Sequence, residues 1–156
     1  MDMPRSVIKY WVAPVAALLS LLTGCALVPS PEPPPLAVDL VETHWRLTEI
    51  DGKPVPAERG SREAHILLSR EGARVTGFAG CNALSGSYTR PSGDGLHFGP
   101  LAMTRMACLS PAASAMEAGF VKGLNQVAWY HIAGTTLELR DRGGEPRIRM
   151  EAVTPR

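Results

Sequence analysis

Three cysteines are the most reactive side chains of this 156-residue chain, and they lie at Cys25, Cys81 and Cys108. Cys81 sits in the segment AGCNALSGSY, between a glycine and an asparagine. A cysteine can act as a nucleophile, as a metal ligand, or as one half of a disulfide. Which of these applies depends first on the redox compartment in which the chain resides.

The histidines and serines do not form a recognisable catalytic or metal-binding pattern. The four histidines are scattered singly, without a CxxC or HxxxH pairing, at His44, His65, His97 and His131. A metal site needs several ligands, usually at close spacing. Ser85 and Ser87 flank Gly86, but no G-x-S-x-G elbow occurs. We therefore predict no metal, no cofactor, no catalytic residue and no enzymatic activity.

The amino terminus has the pattern of an export signal. Arg5 and Lys9 precede a largely apolar run of 13 residues, Tyr10 to Leu22. A helix that spans a bilayer needs roughly 20 apolar residues, so this run is too short, but it suits the apolar region of a signal peptide. We predict a removed signal peptide over residues 1–24, rather than a buried core helix.

The next four residues, Leu22-Thr23-Gly24-Cys25, resemble the lipobox of bacterial lipoproteins. In that class the cysteine is acylated and becomes the first residue of the mature protein. The resemblance implies that Cys25 carries the lipid and that a membrane is one partner. Residue 26 is alanine, not aspartate, which by the same resemblance favours the outer membrane, facing the periplasm.

Export and acylation leave Cys81 and Cys108 as a pair in an oxidising compartment, where disulfides persist. The simplest prediction is a disulfide between them. Closing a loop of that size stabilises the fold by roughly 3–4 kcal/mol in the chain-entropy account. A Cys-His nucleophile at Cys81 and two free buried thiols remain as alternatives.

The net charge argues against one class of partner, and the composition separates a linker from a folded domain. The formal net charge is +1 and neither sign occurs in blocks, so we predict no binding to nucleic acid. Residues 29–36, PSPEPPPL, hold five prolines, which favour an extended spacer. We predict a lipidated cysteine and linker over residues 25–40 and one domain over residues 41–154.

The domain alternates between strand patterns and one helix pattern. About eight short strands are predicted, in the segments HWRLTEIDGKPV, EAHILLS, ARVTGFAG, SGSYTR, LHFGPLAMTRMAC, AWYHIAG, TTLELRD and PRIRMEAV. Between the fifth and sixth, Ser110 and Pro111 are suited to begin a helix. Its apolar stripe consists of Ala113, Met116, Phe120, Leu124 and Val127. This order predicts an α+β fold, an antiparallel sheet curled towards a barrel with one helix packed on it.

Several of these segments together resemble the META domain, also called the HslJ-like domain. They are HWRLTEIDGKPV, GFAGCNALSGSYT, LAMTRMAC and HIAGTTLEL, and the resemblance covers Val41 to about Val153. It implies a curved antiparallel sheet or cracked barrel with one helix. Many members are bacterial lipoproteins or secreted proteins linked to heat stress, envelope stress and antibiotic tolerance. No reaction is established for the domain, so the resemblance assigns no catalytic residue.

Three polar residues of the paired motifs GCN and TRMAC are candidates for a binding site, namely Asn82, Thr104 and Arg105. A rigid disulfide beside them would hold them in place for a ligand. The alternative is structural, with Asn82 capping a turn through its side chain, Thr104 satisfying backbone groups and Arg105 solvated.

The function expected from these observations is a non-catalytic, lipid-anchored envelope protein that binds an envelope protein or a small ligand during stress. Two other functions remain open. One is an assembly or pilot-type lipoprotein with an apolar groove between helix and sheet. The other is an unrecognised hydrolase, which would require a pocket that gathers a histidine, a carboxylate and a serine.

Overall fold

A computed structural model of the protein describes residues 38–56 and 62–153. The predicted signal peptide (1–24), the predicted lipidation site Cys25 and the predicted linker up to residue 37 lie outside these residues. The strands are β1 (His44–Ile50), β2 (Lys53–Pro54), β3 (His65–Ser69), β4 (Arg74–Phe78), β5 (Ala83–Thr89), β6 (His97–Phe98), β7 (Ala102–Met103), β8 (Trp129–Ala133), β9 (Thr136–Arg140) and β10 (Pro146–Val153). The α-helix is α1 (Pro111–Gln126). Within the two described ranges, no helix has the length and apolar character needed to cross a bilayer.

The strands form one antiparallel sheet in the order β6-β5-β4-β3-β1-β10-β9-β8, with β2 beside β1 and β7 beside β5. Near its two edges the sheet curls round until the amide of Leu96 donates to the carbonyl of Ala128 (3.0 Å) and that of Tyr130 to Asp94 (2.9 Å). This short contact brings the edges together without closing a continuous barrel. The predicted α+β class, a curved antiparallel sheet with one helix, is confirmed.

The core forms on the concave face because apolar residues alternate along the strands. On β1 the inward residues are Trp45 and Leu47, and the indole nitrogen of Trp45 donates to the carbonyl of Leu40 (2.9 Å). The same alternation buries Leu137 and Leu139 on β9 and further residues on the neighbouring strands. These inward positions agree with the period-two pattern of the sequence.

The helix begins at the predicted residues and covers one end of the curved sheet. The Ser110 hydroxyl accepts a hydrogen bond from the Ala113 amide (3.1 Å), and Pro111 occupies the first turn. Phe120 and Leu124 of the predicted stripe are fully buried. Gly123 permits the close approach, because a Cβ there would lie 2.9 Å from Cδ1 of Ile148 on β10.

One predicted strand, LHFGPLAMTRMAC, is wrong as a single element. It contains two short strands, β6 and β7, which both pair with β5, and residues 104–108 form no regular secondary structure. The proline at position 100 has no amide donor, and the Gly99 amide donates to Ser87 instead (2.9 Å). The first predicted segment, HWRLTEIDGKPV, likewise holds two strands, β1 and β2, so the sheet has ten strands rather than about eight.

Candidate functional site

The disulfide predicted between Cys81 and Cys108 is present, with 5.4 Å between the Cα atoms. Cys81 follows the end of β4, and Cys108 lies in the irregular segment between β7 and α1. The bond therefore fastens the chain before the helix to the end of a central strand. We call this part of the molecule the disulfide end.

Asn82 holds the irregular segment, residues 104–108, through hydrogen bonds of its side chain. It is only 5% exposed and is the buried polar residue of the described chain. Its side-chain oxygen accepts from the Met106 amide (2.7 Å) and the Thr104 hydroxyl (2.9 Å), and its side-chain nitrogen donates to the Met106 carbonyl (3.2 Å). The amide thus replaces the strand partner that this segment lacks.

Glu117 of α1 completes the junction from the helix side. One carboxylate oxygen accepts from the backbone amides of Cys81 (3.2 Å) and Asn82 (2.7 Å). The other accepts from the side-chain nitrogen of Asn82 (2.9 Å). Sequence reasoning missed this residue, since it lies 36 positions from Cys81, and its only local signal is that it is the one acidic residue of α1.

Of the three candidate binding residues, Asn82 is buried, whereas Thr104 and Arg105 are exposed. The polar atoms of Asn82 bond within the protein, as described above. The Thr104 hydroxyl also accepts from the Ala83 amide (3.1 Å), so it satisfies a backbone group. Arg105 is exposed. Beside it lie two strongly exposed apolar side chains, Met106 at 68% and Leu109 fully exposed.

A cavity of about 250 Å³ opens at the disulfide end. Its walls come from β1, the chain on either side of residues 57–61, Gly80 and the start of α1. Apolar atoms dominate the walls, which include Leu47, Val55, Ala64, Ala113 and Met116, while Arg46, Arg62 and Glu63 also line it. The sequence pattern contained no signal for this cavity, because its walls are distant in the chain.

Gly80 of the GCN motif shapes one wall of the cavity. Its φ of +111° lies in a region that side chains disfavour. A Cβ at this position would also overlap the terminal methyl of Met116. The glycine therefore lets the first turns of α1 pack directly on the chain before the disulfide.

The two arginines at the cavity have different partners. Arg46 forms ion pairs with Glu63 (3.3 Å) and with Glu151 (2.6 Å). The guanidinium carbon of Arg62 lies 5.0 Å from the centre of the Phe78 ring. Among the described residues, no carboxylate pairs with Arg62 within 4 Å.

Two histidines lie on the outer face near this end. The rings of His44 and His65 stack with 4.2 Å between their centres. Burial lowers the pKa of His44 first, and the charge of His65 lowers it further, while Glu63 acts in the opposite direction. The pair therefore disfavours protonation of His44.

The cavity and the amino-terminal side of the domain lie at opposite ends of β3. Ala64, directly before β3, lines the cavity. At the other end, the Leu68 carbonyl accepts from the Glu42 amide (2.8 Å), and Arg70 pairs with Asp39 (3.5 Å). A five-residue strand spans about 16 Å, so the chain enters the domain far from the disulfide end.

Other groups of reactive residues are less complete. One cleft contains His97 with Asp141, and another contains His131 with Asp94, but the described residues that line them include no serine. The ligand atoms of Cys81, Cys108 and Glu117 lie within 4.8 Å of one another. However, the two sulfur atoms are bonded to each other and are not thiolates.

Fold and site together define a small α+β domain of the cracked-barrel type, in which a disulfide fastens the start of the helix. The chain belongs to the META domain family, whose pattern matches residues 38–154. The comparison with curated proteins found no match.

Solved structures show the same fold. A protein from Burkholderia xenovorans determined by NMR is 29% identical, with a TM-score of 0.60 over 74% of this chain and 85% of that one. A second NMR structure is 23% identical, with a TM-score of 0.55 over 70% and 88% of the two chains. A DUF4847 family protein from Bacteroides vulgatus is 13% identical, with a TM-score of 0.51 over 74% and 96%. The last two similarities concern the fold alone.

Proposed function

We propose that this protein is a lipid-anchored, non-catalytic protein of the bacterial cell envelope, attached through Cys25, outer-membrane-bound and facing the periplasm. Its META domain binds an envelope partner or a small ligand and acts in stress or antibiotic tolerance. The lipobox-like residues before Cys25 and membership of the family support the anchor and the stress role. No nucleic acid is expected as a partner.

The observation that carries the binding role is the cavity at the disulfide end. One of its walls, formed by Gly80 and the start of α1, adjoins the disulfide and the hydrogen bonds of Glu117 to the amides of Cys81 and Asn82. A wall held in place in this way loses little conformational entropy on binding. The first described residues of the domain lie at the other end of β3, so the chain enters the domain away from the cavity.

The anchor is tested by fractionation of the protein produced in its own host. Native protein should sediment with membranes, and mass spectrometry should detect an acylated residue 25 as the first residue. Cys25→Ser should appear in the soluble fraction or remain unprocessed. An unmodified methionine start, or membrane attachment of the variant equal to that of the native protein, would contradict the anchor.

The binding role is tested by photo-crosslinking in cells under envelope stress. A photoreactive amino acid at Ala112, an exposed residue that lines the cavity, should capture a partner. The same amino acid at Glu71, an exposed residue near the other end of β3, serves as the control. Equal capture at both positions, or none at Ala112, would count against binding at the disulfide end.

A pilot-type assembly role is the second candidate, and one observation favours it. Met106 and Leu109 are strongly exposed, and Leu109 lies three residues before Ala112 in the cavity wall. Exposed apolar side chains next to an apolar cavity suit the apolar segment of a partner protein. Capture of one envelope protein at Ala112, lost in Leu109→Ser, would distinguish this role from small-ligand binding.

A further inference from the structure

We propose that the cavity at the disulfide end binds a small anionic amphiphile, with an apolar body inside the cavity and an acidic head at Arg62. This inference rests on the proposed binding function and names the ligand class of the same site. Three features of the cavity support it: its walls, its volume and the engagement of its charged residues.

The walls suit an apolar body. They are formed by aliphatic side chains, Leu47, Val55 and Met116, and by small residues that leave space between them, Ala64 and Ala113. Water in such a cavity finds few hydrogen-bond partners. Replacing it by methylene groups is favourable, and each buried methylene should raise affinity about fourfold.

The volume limits the length of the apolar body. A cavity of about 250 Å³ has room for roughly eight water-sized groups, at about 30 Å³ each. An unbranched chain of about eight carbons therefore fills it. Longer chains would extend into solvent and add little affinity, so affinity should level off near that length.

The charges favour an anionic head. Arg46 is engaged by two carboxylates, those of Glu151 (2.6 Å) and Glu63 (3.3 Å). Arg62 is the other cation at the cavity, and its guanidinium lies over the ring of Phe78. Among the described residues, no carboxylate contacts it. A guanidinium can bind a carboxylate through two parallel hydrogen bonds, so Arg62 is the residue assigned to the head group.

The test uses the full mature chain, produced as Cys25→Ser so that no acyl chain competes. Octanoate, 1-octanol and octylammonium are titrated at equal chain length, and methyl NMR signals of Ala64 and Ala113 report binding at the site. Octanoate should bind at least fivefold more tightly than octanol, and octylammonium should bind most weakly. Affinity should rise from hexanoate to octanoate and change less than twofold from decanoate to dodecanoate.

Matched variants locate the two parts of the site. Ala113→Leu, which fills the cavity, should weaken octanoate at least tenfold, whereas Ala118→Leu, on an exposed helix position, should not. Arg62→Gln should lower the affinity for octanoate to that for octanol and leave octanol unchanged. Arg74→Gln, at an exposed position on β4, is the control for loss of one positive charge.

Several results would overturn the proposal, and they differ from failure of the proposed function. Equal affinity for the three probes would show that the site does not select an anionic head group. Unchanged binding of octanoate to Ala113→Leu would show that the apolar chain does not occupy the cavity. Absence of methyl shifts with every probe would reject the amphiphile altogether. If Ala112 still captured a protein in cells, the binding role would stand and only the ligand class would fall.

Discussion

At the scale of single residues, the disulfide end depends on one buried amide. Asn82 bonds to Thr104, Met106 and Glu117, which come from the irregular segment and from the helix. A primary amide suits this place because it offers both a donor and an acceptor. Its motif was visible in the sequence, but its partners were not.

Replacement of Asn82 by aspartate should therefore be costly although the shape is retained. The new carboxylate oxygen would face the Met106 carbonyl and the Glu117 carboxylate, where the amide nitrogen now donates. We expect Asn82→Asp to lower the free energy of unfolding by about 3 kcal/mol, measured by urea denaturation at pH 7. Asn125→Asp, at an exposed helix position, is the control, and equal losses in both variants would refute the buried network.

A second residue-scale prediction concerns acid. Because the pKa of His44 is lowered in the folded protein, by burial first and by His65 second, the unfolded chain binds a proton there more readily. The contribution of His44 to stability is therefore full above its ordinary pKa of 6.5 and is lost as the pH falls through its folded value.

His44→Gln should reduce the loss of stability on acidification, measured by urea denaturation at pH 7.5 and at pH 5. His131→Gln, at an exposed position, is the control for removal of one imidazole. Identical pH dependence in the native protein and in His44→Gln would show that the stacked pair has no such effect.

At the scale of elements, the helix is specified by its own pattern, but only one of its two glycines positions it on the sheet. Near Gly119 a Cβ would make ordinary contact with Ile50 at 3.6 Å, whereas near Gly123 it would meet Ile148 at 2.9 Å. Each glycine lowers the stability of the helix relative to alanine. The close contact with Ile148 gives a packing reason for Gly123, and no such contact exists at Gly119. The distance between helix and sheet therefore depends on position 123.

The two glycines consequently predict opposite effects of the same substitution. Gly119→Ala should raise the free energy of unfolding by about 0.5–1 kcal/mol, through helix propensity. Gly123→Ala should lower it by about 1 kcal/mol or more, because Ile148 is buried and overpacking is costly. Thermal denaturation of the pair decides this, and stabilisation by Gly123→Ala would show that the helix can move away from β10 without loss.

The irregular segment shows how a strand pattern can fail. Its apolar residues predicted one extended element, yet Pro100 divides it and residues 104–108 leave the sheet. The chain there is held by a side-chain amide and by a disulfide instead of a neighbouring strand. A local pattern cannot reveal this substitution, because the partners belong to other parts of the chain.

At the scale of the whole molecule, the disulfide joins the end of a central strand to the start of the helix, 27 positions apart. Its removal as Cys81→Ser with Cys108→Ser should lower the free energy of unfolding by roughly 3–4 kcal/mol. Urea denaturation of both proteins measures this. Addition of reductant should bring the native protein to the stability of the double variant and leave the variant unchanged; a loss below about 1 kcal/mol would contradict the prediction.

The two ends of the curved sheet also differ in role. One end receives the chain beside Glu42 and Arg70, and the other carries the disulfide and the cavity. This separation follows from the antiparallel path of β3, and it places the candidate site away from the residues at which the described chain begins.

The sequence alone determined the fold class, the helix with its first residues and most strand positions, and it predicted the pairing of Cys81 with Cys108 as the simplest of several possibilities. Period-two and period-3.6 patterns are local, and the pairing was inferred from the count of three cysteines and the predicted export signal. Only the tertiary structure decided the bonding of Asn82 with Glu117, the division of one predicted strand and the existence of the cavity. These depend on residues that are distant in the chain and meet only when the sheet curls, so no local pattern encodes their contact.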